Sequence, residues 1–274
     1  MARMTAGGKT VDFYRPPATL QFPPGDWELS LDEVRRRMAD RLAHVEEAIR
    51  AAADTVGRRR EEIQIILATK TVGPERLRLA AELGLLRFGE NRAQELRVKS
   101  AALADLPIEW HFIGYLQRNK IKDVCPRVAL LHSLDRLELA TALEAWLAGH
   151  STSLPPDRLP LPVLIEVNIS GEPNKHGVPP TQAVELARQI ASLPHLALQG
   201  LMTVASAEGS APLVRAQFAR LRQLAEEIQD LRLPGVEMRH LSMGMSHDFP
   251  LAIVEGATLI RLGTAILGPR PPAG

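Results

Sequence analysis

One lysine is a candidate for covalent chemistry because it ends a run of residues typical of a buried strand. The stretch IQIILATKT, residues 63–71, has five mostly aliphatic positions before the chain reaches Lys70. A lysine at the end of a buried strand loses hydration, which favours the neutral amine and lowers its pKa. A neutral amine can attack an aldehyde and form a Schiff base. The alternative is a salt-bridged lysine at the rim of the fold, and position alone does not decide between the two.

The C-terminal part of the chain has residues suited to binding a phosphate group. The motifs LSMGMSHDF (241–249) and RLGTAILG (261–268) contain small residues, which let backbone N–H groups approach a ligand closely. Ser242, Ser246 and Thr264 add hydroxyl donors. Glycines that serve only tight turns are the alternative. A reactive amine facing a phosphate site is what a pocket for pyridoxal phosphate requires.

Arg261 has a possible role beside the ring of such a cofactor. It lies two residues before Gly263, so both residues project to the same face of a strand. A permanently charged guanidinium beside the pyridine nitrogen disfavours protonation of the ring and weakens the electron sink that most pyridoxal enzymes use. An ion pair at the rim of the core is the alternative.

The elements that position these residues follow an alternating pattern. From residue 63 onward, short apolar and β-branched runs alternate with stretches of helical periodicity. Eight strands with helices between them predict a (β/α)8 TIM barrel, in which functional residues gather at the carboxyl ends of the strands. An open doubly wound sheet is less suitable, because its first strand leads into a Gly-rich phosphate loop rather than a lysine. The predicted strands lie near 63–69, 85–88, 109–114, 128–133, 162–169, 196–203, 237–242 and 258–262.

The chain is predicted to have a single domain with an N-terminal extension. Residues 1–29 contain Gly and Pro pairs and no continuous apolar run, so we interpret them as a poorly ordered extension rather than a signal peptide. Ser30 and Glu33 have the spacing of a capping box at the start of a long amphipathic helix, which precedes the barrel. The domain spans 30–270, and the Pro-rich stretch 149–162 is interpreted as a surface insertion.

The composition of the chain argues against nucleic acid and membrane as partners. The chain has 274 residues, with 33 Lys and Arg against 32 Asp and Glu, so it has no general attraction for nucleic acid. No apolar run approaches the roughly 18 residues needed to span a membrane. The single cysteine, Cys125, fits a reducing cytosol and is expected to be an inert thiol. We therefore expect a cytoplasmic protein that binds neither nucleic acid nor membrane. A monomer is our expectation for its oligomeric state, although composition does not determine it.

A polar stretch after the fifth predicted strand raises the question of a metal site. EVNISGEPNKHG brings Glu166, Asn168, Glu172, Lys175 and His176 into a short span. Hard metal ions need several convergent oxygens, and no second carboxylate cluster complements this one. We expect a loop ion pair or a lid over the cofactor, and no metal. The remaining histidines lack metal-ligand spacing and are interpreted as structural or rim residues: His132, His150, His195, His240 and His247.

Seven motifs in order resemble a known family. They are ATKT, FGENRAQE, WHFIGYLQRNK, VNISGEPNKHGV, GLMTV, LSMGMSHDF and IRLGTAILG, and the similarity that contains them runs from about residue 33 to 268. The set resembles the pyridoxal phosphate homeostasis proteins, the YggS/PROSC group, which are related to the N-terminal barrel of alanine racemase. Thr69 stands where many relatives have serine, which keeps the hydroxyl, and the extension over 1–29 is not part of the family pattern.

The resemblance implies a set of cofactor contacts and a role. Pyridoxal phosphate would be held as a covalent aldimine on Lys70, and the family's role is binding and supply of the cofactor rather than robust catalysis. Apo forms of pyridoxal phosphate-dependent enzymes would be the recipients. The motif match implies that Asn91 and His111 line the pocket, that Ser242, Gly263 and Thr264 hold the phosphate, that Arg261 faces the ring nitrogen, and that Met243 and Ser246 complete the wall.

Two other functions remain open at this point. An amino-acid racemase needs a second base opposite the lysine, which alanine racemases supply as a tyrosine from an added β domain. We expect no such domain after the eighth strand, and of Tyr14 and Tyr115 only Tyr115 is a conceivable substitute. A barrel enzyme that handles phosphate compounds without pyridoxal phosphate would explain the glycine-rich motifs and leave Lys70 unexplained.

Overall fold

A closed barrel of eight parallel strands forms the centre of the fold. The computed structural model describes residues 5–6, 9–15, 17, 29–155 and 158–268. Each barrel strand pairs with the next along the chain, and the last pairs with the first. The predicted (β/α)8 barrel is confirmed, and every predicted strand overlaps an observed one. The barrel strands are β3 Gln64–Ala68, β4 Arg87–Glu90, β5 Glu109–Phe112, β6 Val128–Leu134, β7 Leu161–Glu166, β8 Leu196–Met202, β9 Val236–Ser242 and β10 Leu259–Leu262, preceded by a hairpin of β1 Thr5–Ala6 and β2 Lys9–Thr10.

Helices surround the barrel and follow the strands in the expected alternation. None of the helices within the described residues has both the length and the apolar character needed to cross a membrane. The stretch 149–162 runs from the end of the fifth helix to β7. The helices are α1 Leu31–Asp54, α2 Pro74–Glu82, α3 Ala93–Ala102, α4 Ile121–Val124, α5 Leu137–His150, α6 Pro180–Ile190, α7 Ala211–Asp230, α8 Phe249–Val254 and α9 Thr264–Leu267, with 3-10 turns at Arg60–Glu62 and Arg118–Lys120.

The strands bury side chains on both faces, which explains their near-continuous apolar sequence. Successive residues of a strand point to opposite faces, so one set fills the barrel and the other packs under the helices. Ile66 belongs to a small interior cluster, whereas the next residue, Leu67, belongs to the larger core shared with the helices. The interior cluster consists of Ile66, Leu130, Leu164, Met202 and Leu259, with Ile113 and Val204 against it.

Helix α1 begins where the sequence predicts, although only half of the expected capping box forms. The Ser30 hydroxyl accepts a hydrogen bond from the Glu33 amide at 3.3 Å. The Glu33 carboxylate does not reach back to Ser30; it accepts hydrogen bonds from Arg36 and Arg37, and these bonds lower the pKa of Glu33 to about 2. The apolar face of α1 packs mainly against α8, α9 and α2.

Part of the N-terminal extension lies against the loop that follows β9. The Tyr14 amide donates to the carbonyl oxygen of His247 at 2.7 Å. The Phe13 ring stacks on His247 at a centroid distance of 5.7 Å, and the Tyr14 ring lies 5.0 Å from that of Phe249. The division into an extension over 1–29 and a barrel over 30–270 stays a prediction, since much of 1–28 and residues 269–270 lie outside the described residues.

Candidate functional site

Closure of the barrel brings Lys70 beside the segment that follows β10. In the parallel pair of β10 and β3, Arg261 lies opposite Ile66. Two residues further on, a Cβ placed on Gly263 would lie 3.3 Å from the carbonyl oxygen of Ala68. Because Lys70 follows Ala68 by two residues, the start of the RLGTAILG motif adjoins the backbone that carries the lysine.

The other neighbour of β3 places Asn91 on the opposite side of Lys70. Ala68 pairs with Gly89 in the β3 and β4 ladder, so Asn91 follows Gly89 as Lys70 follows Ala68. A Cβ on Gly114 would lie 2.3 Å from the Asn91 carbonyl oxygen, so only glycine allows the next loop to pack this closely. The structure therefore brings Lys70, Asn91 and Gly263 to the same end of three adjacent strands.

Lys70 is half-buried, and its amine is uncommitted within the described residues. The side-chain nitrogen of Lys70 makes no hydrogen bond or ion pair with another residue of that part of the chain. The salt-bridged alternative suggested by the sequence is therefore not the arrangement in the structure. An amine that no carboxylate holds is able to react with a ligand at the carboxyl end of the barrel.

Two backbone amides converge on one oxygen beside Gly263. The N–H groups of Gly263 and Ala265 both donate to the Ser246 hydroxyl oxygen, at 3.3 and 3.2 Å. The loop that carries Ser246 is fixed by the buried Asp248 carboxylate, which accepts a hydrogen bond from the Met245 amide at 2.5 Å. Burial raises the pKa of Asp248. Converging backbone N–H groups of this kind suit a phosphate oxygen.

Arg261 is a buried cation in the barrel interior. Its two terminal nitrogens donate to the Ser242 hydroxyl at 2.6 Å and to the Thr203 carbonyl oxygen at 2.7 Å. Burial lowers its pKa to about 10, against the opposing effect of the Asp248 and Glu166 charges. The guanidinium therefore stays charged at neutral pH and points to the face of β10 that Gly263 shares.

A chain of hydrogen-bonded side chains runs from Arg261 to the other end of the barrel. Because arginine only donates, the Ser242 oxygen accepts from Arg261, and the same oxygen lies 2.9 Å from His132 Nδ1, within hydrogen-bond distance. Burial, and then the charges of His111 and Arg261, hold the pKa of His132 well below its ordinary value. His132 Nε2 lies 2.8 Å from His111 Nδ1, and His111 Nε2 lies 3.0 Å from a carboxylate oxygen of Glu109.

Two members of this chain, Ser242 and His111, are residues that the motif match assigns to the cofactor, and those roles stay predictions. The buried Ser242 hydroxyl accepts a hydrogen bond from the Arg261 guanidinium and lies 2.9 Å from His132 Nδ1. Both ring nitrogens of His111 are engaged, and the residue is buried. His132, which the sequence indicates as structural or rim, is fully buried between them. Its position two residues after the interior residue Leu130 was the available signal.

Met243 lies on the opposite face of its segment from Ser242. It is fully buried in the larger core shared with the helices, and its amide donates to the Leu259 carbonyl oxygen at 3.1 Å. The Met243 side chain therefore points away from the site, and only its backbone is available to form part of the wall. Thr264, by contrast, is exposed between the two amides that converge on Ser246.

The polar loop after β7 contains the expected ion pair. Lys175 lies 2.8 Å from Glu172 and donates to the Ala205 carbonyl oxygen at 2.9 Å. His176 stacks on the Tyr115 ring at 4.4 Å, and the Arg136 guanidinium lies 4.7 Å from the centroid of the same ring. Within the described residues, no three or more His, Cys, Asp or Glu side chains form a group able to hold a metal ion.

Two further titratable groups have perturbed pKa values. Burial, with a smaller effect from Asp135, raises the pKa of Glu166 to about 7, although Arg261 opposes this. Glu166 is a buried carboxylate at the carboxyl end of β7, and sequence reasoning weighed it only as a metal ligand. Burial also raises the pKa of the Cys125 thiol to about 12, which agrees with the expected inert thiol.

Comparison with known proteins places this barrel in a family. The model of the alanine racemase N-terminal domain matches residues 41–271. The chain is 43% identical over 231 residues to the pyridoxal phosphate homeostasis protein of Aquifex aeolicus, covering 84% of this chain and 97% of that protein. It is 39% identical over 236 residues to the protein of that name from Escherichia coli K12, covering 85% and 97%.

Solved structures agree with these relatives. PipY of Synechococcus elongatus, solved with pyridoxal phosphate bound, has a TM-score of 0.71 and 33% identity and covers 84% of this chain and 100% of its own. Alanine racemase of Corynebacterium glutamicum has a TM-score of 0.58 and 18% identity and covers 86% of this chain and 63% of its own, so it shares the fold alone. The chain belongs to the alanine racemase N-terminal domain family and, within it, to the pyridoxal phosphate homeostasis proteins.

Proposed function

We propose that the chain binds pyridoxal 5′-phosphate as a Schiff base on Lys70 and supplies it to other proteins in the cytoplasm. The observation that carries the proposal is the uncommitted Lys70 amine at the same end of the barrel as the converging amides of Gly263 and Ala265. Lys70 and the aldehyde of the cofactor condense to a carbon–nitrogen double bond, and the carbonyl oxygen leaves as water. The homeostasis proteins and the ligand-bound PipY structure support this choice of ligand.

The residues present fit the chemical groups of this ligand. The N–H groups of Gly263 and Ala265 donate to the Ser246 oxygen in this structure, and a phosphate oxygen would take the place of that acceptor, with the hydroxyls of Ser246 and Thr264 beside it. The cofactor supplies an electrophilic aldehyde when it is bound, and the protein's residues decide what else happens. Arg261, which stays a cation and is fixed by two hydrogen bonds, would lie beside the ring nitrogen and disfavour its protonation. This arrangement favours holding the cofactor over using it as an electron sink.

The racemase alternative needs a second base, for which Tyr115 is the candidate. Tyr115 is 42% exposed, and its ring lies between His176 and Arg136. A general base must lie within hydrogen-bond reach of the proton that it takes. We therefore propose a carrier that is not an efficient catalyst, with Asn91 and His111 as walls of the pocket.

Transfer of bound cofactor tests this function. The protein is loaded with pyridoxal phosphate, freed of unbound cofactor and mixed with the apo form of a pyridoxal phosphate-dependent enzyme. We expect the visible absorbance of the loaded protein to fall while the activity of the apo-enzyme rises in proportion. Lys70→Ala, treated identically, should carry over no cofactor and restore no activity.

Two results would overturn the proposal. The first is a loaded protein that keeps its cofactor while the apo-enzyme stays inactive. The second is sustained formation of D-amino acid, with deuterium exchange from deuterated water, at rates well above those of free cofactor, which would make the protein a racemase.

A further inference from the structure

A buried ionic cluster lies next to the backbone of Lys70. It consists of Glu90 at the end of β4 and of Glu95 and Lys99 on α3, and is called the Lys99 cluster below. The Lys99 ammonium donates to the Thr69 carbonyl oxygen at 2.8 Å, to Glu90 at 2.6 Å and to Glu95 at 2.8 Å. These three bonds use all three hydrogens of the ammonium.

The cluster holds the residues on both sides of Lys70. Before the lysine, the Thr69 carbonyl accepts from Lys99, and the Thr69 hydroxyl donates to the Glu90 carboxylate. After the lysine, the Thr71 amide donates to Glu95 at 3.0 Å. The backbone of Lys70 is therefore fixed at two points by one cluster, whereas its side chain is left free for a ligand.

The backbone beyond Lys70 has a conformation that needs such support. Thr71 has a φ of +66°, in the left-handed region that β-branched residues rarely adopt. Its amide is held by Glu95, and its hydroxyl donates to the Lys70 carbonyl oxygen at 2.6 Å. The surrounding bonds thus keep a strained turn in place next to the reactive residue.

Packing alone does not explain why the Lys99 cluster consists of charged residues. Glu90 is fully buried, and its second carboxylate oxygen has no hydrogen-bond partner in the described part of the chain. Burial raises the pKa of Glu90. Burial acts in the same direction on Glu95, but the bonds from Lys99 and Thr71 outweigh it and lower its pKa. Well-packed apolar residues often replace buried ion pairs without loss of stability, so packing alone does not explain this cluster.

We propose that Lys99 is a positioning residue that, through Glu90 and Glu95, aims the Lys70 amine at the aldehyde of the cofactor. This rests on the function proposed above. In the condensation, the Lys70 nitrogen forms a bond to the aldehyde carbon, the carbon–oxygen bond breaks, and one water leaves. Only this covalent step needs the amine in one orientation, because the phosphate and the ring contact other residues.

The test compares two probes that differ at the reacting carbon. Pyridoxal 5′-phosphate carries the aldehyde, whereas pyridoxine 5′-phosphate carries an alcohol there and cannot form the Schiff base. In Lys99→Met we expect the dissociation constant of pyridoxal phosphate to rise by about tenfold or more, and that of pyridoxine phosphate to change by less than about twofold. The matched control is Lys122→Met, an exposed residue of α4, in which both constants should stay at the wild-type values.

A milder variant guards against loss of folding. Lys99→Met leaves two carboxylates without their partner, so its circular dichroism and thermal melting are recorded first. Glu95→Gln keeps the side-chain shape while weakening the bonds to Lys99 and Thr71, and it should show the same selective loss of pyridoxal phosphate affinity to a smaller extent.

The outcomes separate the two proposals. Equal weakening of both probes in a folded Lys99→Met protein, or no loss of pyridoxal phosphate affinity, would show that the cluster does not position Lys70. A wild-type protein that binds both probes equally, and from which borohydride traps no covalent adduct, would instead overturn the proposed function.

Discussion

Replacing Glu166 by glutamine is expected to stabilise the ligand-free protein above neutral pH and to have little effect in acid. The buried Glu166 carboxyl has a pKa of about 7, raised mainly by burial, against an ordinary value near 4.5 in the unfolded chain. Asp135 and Arg261 are the charged groups that act on it, in opposite directions. The folded state therefore binds a proton over a pH range in which the unfolded state has released it.

The sign of the effect follows from this difference. Below pH 4.5 the carboxyl is protonated in both states, and its contribution to stability is fully present. As the pH rises towards 7 the unfolded state ionises first, so the wild-type protein loses stability, and above 7 the loss is complete. Glutamine stays neutral throughout. The free energy of unfolding of Glu166→Gln, relative to that of the wild type, should therefore increase by about 2–3 kcal/mol between about pH 5 and pH 8.

Urea unfolding at a series of pH values measures this difference. Glu185→Gln, an exposed substitution on α6, is the control and should keep the wild-type dependence on pH. A stability difference between Glu166→Gln and the wild type that is the same at all pH values would show that Glu166 is not a proton-binding group of the folded state.

Gly200→Ala is expected to destabilise the barrel by at least about 3 kcal/mol. Gly200 of β8 pairs with His240 of β9 and has a φ of +150°. A Cβ at this position would lie 1.9 Å from the His240 carbonyl oxygen, so alanine must separate the two strands. Because Ser242 follows His240 by two residues, the same shift would also displace Ser242, whose hydroxyl accepts a hydrogen bond from Arg261.

Gly149→Ala is the matched control for this substitution. Gly149 lies in α5, and a Cβ there would meet no heavy atom within 4 Å. Alanine is favoured over glycine in a helix by about 0.5–1 kcal/mol, so this variant should be at least as stable as the wild type. Similar unfolding midpoints in urea for the two variants would contradict the steric explanation for Gly200.

The eight strands could be predicted because each barrel strand is buried on both faces and gives a nearly continuous apolar run. The boundary of β4 was less accurate, with a prediction of 85–88 and an observed strand of Arg87–Glu90. The apolar pattern in the sequence predicts that the strand ends before the charged residue Glu90. The strand in fact includes Glu90, because Lys99 reaches it from the next helix, and such a contact leaves no periodicity in the sequence.

The site was only partly accessible to the same reasoning. Lys70 and Gly263 could be predicted to lie near each other, since both end strands that become neighbours when a barrel closes. The chain from Arg261 through Ser242 and His132 could not, because it depends on which interior side chains meet across the barrel. The motif assigns Ser242 to the phosphate, which stays a prediction, and the structure adds that its hydroxyl accepts a hydrogen bond from Arg261.

The central claim, that Lys70 holds pyridoxal phosphate as a Schiff base, is tested most directly by chemical trapping. The loaded wild-type protein is reduced with borohydride, digested, and searched by mass spectrometry for a phosphopyridoxyl group. We predict that this group lies on the peptide containing Lys70 and that Lys70→Ala yields no such adduct. A trapped group on another lysine, with Lys70 unmodified in the wild type, would contradict the account.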